Sequence, residues 1–141
     1  MTHSILQPVI ALVIWSMVMW AWLYATRVPA MMRARTKLDP TLPRDVMLGG
    51  LPPRVRWKAD NYNHLMEQPT LFYATALTLA LLEQGDALTV GLAWAYVGLR
   101  IAHSLIQALV NVIIVRFTVF MIASAVLVVL AGRAAMVVFQ A

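Results

Sequence analysis

The segment DNYNHLMEQP, residues 60–69, decides how the rest of the chain is interpreted, because it opens a long apolar run with polar and ionisable groups. If the segment is helical, Asn63 and Glu67 are four residues apart and share a face. Asp60 and His64 share a side for the same reason. A charge inside an apolar membrane segment costs several kcal/mol unless it is paired or hydrated. The segment is therefore predicted to build a site.

The composition places this 141-residue chain, the length of one domain, among helical membrane proteins. Apolar residues make up 62% of it and charged residues 12%, against about 45–50% and 25% in soluble domains. Long runs without charge predict an all-α integral membrane protein. The absence of cysteine excludes disulfides and thiolate metal ligands, and three scattered histidines predict no metal site.

Four transmembrane helices are predicted, packed as one four-helix bundle. Their approximate bounds are 5–25, 60–82, 87–109 and 112–139. The first run lacks a basic leader and a small-residue cleavage site, so we expect it to remain as a signal anchor. Pro69 predicts a kink inside the second span. A tight turn is predicted near Asn111, since one helix of about 50 residues would exceed any bilayer.

Eight of the eleven lysines and arginines lie in one predicted loop, residues 27–59. The positive-inside rule places this loop in the cytoplasm and both termini on the opposite side. The net charge of +5 is thus explained by topology rather than by nucleic-acid binding. A direct role of the loop in binding an anionic substrate, mainly through Arg27, is the alternative.

The third predicted span carries a polar stripe on one helix face, because its polar residues are spaced by three or four positions. These residues are Arg100, His103, Gln107 and Asn111. Such a stripe must face another helix or water. A rise of about 1.5 Å per residue also brings several polar residues to one depth on the cytoplasmic side. They are Glu67, His103, Gln107 and Arg116. Together they predict a polar pocket open to the cytoplasm.

Each of these residues also has a structural explanation. Glu67 and Arg100 would form a buried ion pair between helices, and His103 and Gln107 would make interhelical hydrogen bonds. Arg100 and Arg116, which lie near the same depth, exceed what one glutamate neutralises, and this favours an anionic ligand. An ion pathway is less favoured, because the polar stripe does not continue through the other half of the membrane.

These features resemble the MAPEG family, the membrane-associated proteins in eicosanoid and glutathione metabolism. The matching motifs are Asn63 to Pro69, Arg100-Ile101-Ala102-His103, and Arg116, sixteen residues after Arg100. The chain departs from the family pattern in several places. The usual Asn-x-x-Glu-x-x-Pro becomes Asn-x-x-x-Glu-x-Pro, and Tyr62, Gln107, Phe117 and Phe120 stand where Arg, Tyr, Ser and Tyr are common.

The resemblance implies a homotrimer in the membrane, of the kind found in a bacterial inner membrane, with glutathione as co-substrate between subunits. The residues that would bind glutathione are Arg27, Asn63, Glu67, Arg100, His103 and Gln107. Arg116 would be catalytic, by polarising the thiol toward thiolate. The implied function is a glutathione-dependent transferase or peroxidase acting on small apolar electrophiles or lipid hydroperoxides. The alternative is a non-catalytic lipid- or anion-binding membrane scaffold of the same fold.

Overall fold

The computed structural model describes residues 2–140, with side chains from residue 4 onward, so the side chain of His3 lies outside the described part. The described residues form helices joined by turns. The helices are α1 (Thr2–Arg33), α2 (Arg44–Leu48), α3 (Pro53–Leu65), α4 (Pro69–Leu81), α5 (Ala87–Leu109) and α6 (Ile113–Gln140). The described part of the chain is thus all-α, as its composition predicts.

Three of the described helices are long and apolar enough to cross a membrane. They are residues 4–33 of α1, α5 and α6, with mean hydropathies of 1.8, 1.2 and 2.6. The protein is therefore an integral membrane protein. The second predicted span, 60–82, is divided between the end of α3 and all of α4.

The division falls at Pro69, where the sequence predicts a kink and the structure has a complete break. α3 ends at Leu65, and Pro69 occupies the first turn of α4. Proline suits that position, because its missing N–H would have no partner there and its φ is already helical. The intervening turn is tightened by short-range bonds, including one from the Met66 amide to the Asn63 carbonyl at 3.0 Å.

Gln68 connects this turn to α5 and α6. Its Nε2 donates to Ser124 Oγ in α6 at 2.7 Å. Its Oε1 accepts from the Tyr96 hydroxyl in α5 at 3.2 Å. Interhelical hydrogen bonds of this kind contribute about 0.6 kcal/mol each on average in membrane bundles. The polar turn is thereby held at a set position inside the bundle.

Helix α5 is central to the packing, because it contacts α1, α3 and α6. Its Tyr96 stacks on Phe72 of α4 with ring centroids 4.5 Å apart. The buried core also includes Leu12, Leu79 and Leu130. Close packing of this type stabilises membrane bundles, since lipid removes the hydrophobic driving force between helices.

The helices extend into the predicted basic loop from both sides. α1 continues to Arg33, whose basic side chain is favourable at a helix C-terminus. α3 begins at Pro53, because the Pro52-Pro53 pair starts a helix well but cannot continue one. The connection between α5 and α6 is short, with Asn111 at a φ of 52°.

An ionic contact joins the ends of α5 and α6 that lie away from the basic loop. The Arg133 guanidinium contacts Asp86 Oδ1 at 2.9 Å and Thr89 Oγ1 at 3.0 Å. Thr89 also donates to Asp86. The Thr89 hydroxyl, together with the nearby Arg133, holds the pKa of Asp86 below its usual value of 3.8. The charged form of Asp86 is thus the one that the folded chain favours.

We expect Asp86→Asn to lower the thermal midpoint of the detergent-solubilised protein at neutral pH. A carboxyl with a lowered pKa contributes stability above its ordinary pKa, and that contribution is lost as pH falls through the lowered value. The difference between variant and wild type should therefore vanish well below pH 3.8. Glu83→Gln, in the same turn, is the matched control. Equal midpoints of variant and wild type at neutral pH would contradict this role of Asp86.

Candidate functional site

The most buried charge of the described chain is Arg100 in α5, whose side chain has no exposed surface. Its Nη2 lies 2.9 Å from Nδ1 of His64 and 3.2 Å from the His64 carbonyl oxygen. Nε and Nη1 of Arg100 have no hydrogen-bond partner among residues 4–140. Because buried cations normally have partners, these two groups mark a polar centre whose hydrogen bonds are incomplete within residues 4–140.

The ion pair between Glu67 and Arg100, which is the structural explanation for these two residues, is not formed. Glu67 is exposed on the surface of the chain, while the ion pair that the described residues do form joins Arg133 to Asp86. The reason is the break before Pro69. The turn at residues 66–68 interrupts the helical phase, so His64 points toward Arg100 and Glu67 does not.

Two aromatic contacts hold the His64 ring in place. It stacks on His103 of α5 with ring centroids 4.7 Å apart and planes 22° apart. The ring of Phe120 in α6 meets it edge-to-face at 5.2 Å. Phe120 also lies 5.8 Å from the Arg100 guanidinium carbon, within cation–π range. The two histidines, Arg100 and Phe120 therefore form one packed cluster.

An inner cavity of about 240 Å³ adjoins this cluster. Its lining residues are His64, His103, Gln107, Ile113, Arg116, Phe117 and Phe120. Gln107 Oε1 and His103 Nδ1 are buried without a partner among residues 4–140. On the opposite wall, Ile113 and Phe117 are more than half exposed on the apolar surface of α6. The inner cavity thus has a polar wall inside the bundle and an apolar wall toward the lipid.

A larger outer cavity of about 550 Å³ lies beneath the basic segment. Its charged and amide lining residues are Arg27, Arg44, Arg56, Arg116, Asp45, Asp60, Asn63 and Asn111. Four arginines against two aspartates leave an excess of two positive charges. Arginine binds carboxylates in bidentate geometry, so the outer cavity is suited to an anion that also carries a positive group.

Arg116 is the residue that both cavities share. It lies in the first turn of α6, and its Nη1 donates to Asn111 Oδ1 at 2.6 Å. Asn111 has the left-handed backbone that asparagine adopts more readily than most residues. The turn between α5 and α6 thus orients the guanidinium at the junction of a cationic space and a partly apolar one.

The structure brings most of the predicted binding residues to these two cavities. Arg27 and Asn63 line the outer cavity, and His103 and Gln107 line the inner one. Arg100 does not line the inner cavity, but it contacts His64, which does. Glu67 lines neither of these two cavities.

His64 is not among the site residues predicted from the sequence, although the sequence contains a signal for it. The family spacing of Asn-x-x-Glu is matched here by His64-x-x-Glu67, while Asn63 is one residue too early. Arg44 and Arg56, which reach the outer cavity from α2 and α3, are also absent from the site residues predicted from the sequence. No periodicity signals those two residues, because a loop joins their helices.

Comparison of the sequence with known proteins identifies its family. The sequence model of the MAPEG family matches residues 5–136, nearly the whole chain. The chain belongs to the MAPEG family. No curated protein and no solved structure matches it. The match to the MAPEG family spans the break before Pro69, the buried Arg100 and the shared Arg116, so the whole candidate site lies in the family domain.

Substitution of Asn111 tests how the turn positions Arg116. We expect Asn111→Ala to lower the free energy of unfolding by about 1 kcal/mol, because alanine is strained at positive φ. Asn111→Gly should cost clearly less, since glycine adopts this conformation freely. Val110→Ala, at the adjacent exposed position, is the control. If denaturant unfolding in detergent shows equal losses for the two Asn111 variants, backbone strain is not what selects asparagine here.

Proposed function

We propose that the protein is a membrane-embedded glutathione-dependent transferase or peroxidase that acts on apolar electrophiles or lipid hydroperoxides. Membership of the MAPEG family suggests a glutathione-related function of this kind. The observation that carries the proposal is the position of Arg116, where a cationic cavity meets a partly apolar one. A reaction between a charged thiol peptide and an apolar molecule requires such a junction.

The outer cavity would hold the glutathione tripeptide, which has two carboxylates and one ammonium at neutral pH. Arg27 and Arg56 suit the carboxylates, and Asp60 suits the ammonium. Glu67 and Asn63 are exposed on one subunit, which favours a ligand shared with a neighbouring subunit. Arg100, His103 and Gln107 would complete the site from the side of the inner cavity.

Arg116 would stabilise the thiolate form of bound glutathione. A guanidinium beside sulfur favours the charged form, and the thiolate is the reactive nucleophile. In the structure this guanidinium is oriented by Asn111 rather than neutralised by a carboxylate. Its full charge is therefore available to the sulfur.

The inner cavity would receive the apolar substrate. Ile113 and Phe117 connect its wall to the lipid-facing surface of α6, so a lipophilic molecule has a route to it from the bilayer. Binding energy from those apolar contacts would hold the electrophile beside the thiolate, which raises the rate through proximity.

A homotrimer with four crossings per subunit is also part of this proposal. The end of α3 with α4 would form the second crossing, in addition to the three apolar helices. The basic segment would face the cytoplasm of a bacterial inner membrane, and both termini would face away from it. Outward-facing polar groups near the break, such as Glu67, support contact between subunits.

A non-catalytic scaffold that holds a lipid or another anion is the second candidate. The observation that favours it is the pair Phe117 and Phe120, which line the inner cavity near Arg116 and offer no hydroxyl to a reacting sulfur. A scaffold would bind an anion in the outer cavity without turnover. Binding and turnover must therefore be measured separately.

Arg116→Ala separates the two candidates. We expect glutathione binding, measured by titration calorimetry in detergent, to weaken by less than about tenfold, because the other outer-cavity arginines remain. The ultraviolet absorbance of bound thiolate should disappear, and turnover should fall by about 10²–10³-fold, as on loss of one charge-stabilising donor. Arg54→Ala is the matched control, since this α3 arginine lines neither cavity.

Two outcomes would contradict the enzyme proposal. If the wild-type protein binds no glutathione at millimolar concentration, the outer cavity serves another ligand. If it binds glutathione but forms no thiolate and turns over no electrophile, the scaffold candidate is supported instead.

The subunit number is tested by native mass spectrometry of the protein released from detergent micelles. The expected assembly contains three chains of 15.7 kDa. Chemical cross-linking in intact membranes, which should give a ladder ending at three chains, controls for detergent effects. A ladder that ends at one or two chains would contradict the trimer.

A further inference from the structure

His64 has no role in the proposed function so far, and its contact with Arg100 determines which ring nitrogen carries the proton. A guanidinium has only N–H donors and no acceptor. The 2.9 Å contact between Arg100 Nη2 and His64 Nδ1 therefore makes Nδ1 the acceptor. A neutral imidazole carries one proton, so that proton must lie on Nε2.

The surroundings of His64 favour this single neutral form. A second proton would place a positive ring against the Arg100 guanidinium, and like charges in contact repel strongly inside a bundle. The ring cannot easily turn over, because His103 stacks on its face and Phe120 meets it edge-on. His64 is thus a histidine with one fixed acceptor and one fixed donor.

The donor is available to the inner cavity. His64 lines that cavity together with Arg116, and its Nε2 has no protein acceptor among residues 4–140. The neighbouring walls formed by Phe117 and Phe120 offer no acceptor either. A ligand oxygen in the cavity would therefore meet the neutral N–H of His64, in a space that the Arg116 guanidinium also lines.

We propose that His64 donates from Nε2 to the substrate oxygen that gains negative charge, and that apolar hydroperoxides are accordingly the preferred second substrates. This inference rests on the proposed glutathione chemistry. A donor that is held in place before the reaction stabilises developing charge without reorganisation, which is the usual source of large rate effects.

The reaction at this site is a peroxide reduction. The thiolate sulfur forms a bond to one peroxide oxygen as the O–O bond breaks, and the electron pair stays on the departing oxygen. That oxygen accepts the His64 hydrogen bond and then takes the proton that the thiol had released, which yields the alcohol. A second glutathione thiol attacks the sulfenic acid, giving the disulfide and water. The peroxide is reduced, and two glutathione molecules are oxidised.

Two substitutions separate the donor role of His64 from its contact with Arg100. His64→Asn places an amide near the position of Nδ1, where its oxygen can still accept from Arg100, but it does not reach the position of Nε2. His64→Gln carries its amide nitrogen farther out, near Nε2. A purely structural role would be preserved better by the shorter amide.

We expect His64→Asn to lower kcat/KM for cumene hydroperoxide by about 10²-fold. The rate with benzyl chloride, which has no oxygen to accept a hydrogen bond, should change by less than about threefold, and glutathione affinity should stay unchanged. His64→Gln should recover at least about tenfold of the lost peroxide activity. Thr118→Val, on the exposed side of α6, is the control.

Loss of activity toward both substrates in His64→Asn would overturn the proposal, because it would indicate a structural role. Unchanged peroxide activity would overturn it as well. If the wild-type protein turns over neither substrate, the proposed function fails, and the donor is tested by binding alone.

That binding test uses ¹⁵N-histidine NMR of the whole protein in detergent, with His64→Gln to assign the signal. The expected signal is the neutral Nε2–H tautomer, and it should shift when the unreactive alcohol 2-phenyl-2-propanol is added. An imidazolium or an Nδ1–H tautomer would overturn the donor assignment. A signal that the alcohol leaves unchanged would overturn the binding of a substrate oxygen.

Discussion

The contact between Arg100 and His64 depends on the break between α3 and α4, and the geometry of the site depends on that contact. In an unbroken helix the His64 carbonyl would accept from the amide four residues later. The turn before Pro69 replaces that bond with a longer one from the Glu67 amide at 3.4 Å, and the carbonyl also accepts from the Arg100 guanidinium at 3.2 Å. The break thus leaves a weakly bonded backbone acceptor beside the buried cation. Hydrogen bonds from Gln68 to α5 and α6 then fix the position of the turn relative to these helices.

How much of this was predictable from the sequence depends on whether a residue lies in a continuous helix. In α5 the spacing of Arg100, His103 and Gln107 predicts one shared face, and all three are buried on it. In the second segment the same reasoning places Glu67 in the pocket, whereas the structure leaves it outside and brings in His64. Residues on the two sides of a helix break do not follow one helical periodicity, so their spacing does not tell which of them share a face. Pro69 signals a kink, but the number of residues lost to the turn is not encoded in periodicity.

The outer cavity shows a second limit of sequence reasoning. Arg44 and Arg56 come from separate helices, and the fold brings them to the same space as Arg27. The positive-inside rule accounts for their presence on one side of the membrane. It does not distinguish arginines that only set topology from those that surround a cavity. That distinction arises from the path of the connecting segment, which follows from Pro52-Pro53 starting α3 early and from α1 continuing to Arg33.

The choice of histidine as the partner of Arg100 has an electrostatic consequence. A carboxylate at the same place would satisfy the guanidinium and cancel its charge, so the neighbouring cavity would gain little attraction for anions. A neutral imidazole satisfies one N–H and leaves the charge in place. The fields of Arg100 and Arg116 then add in the inner cavity, where low polarity screens them weakly. Arg100 therefore contacts the neutral His64 and not the charged Glu67. This arrangement maintains a positive potential where an anionic sulfur or oxygen would develop.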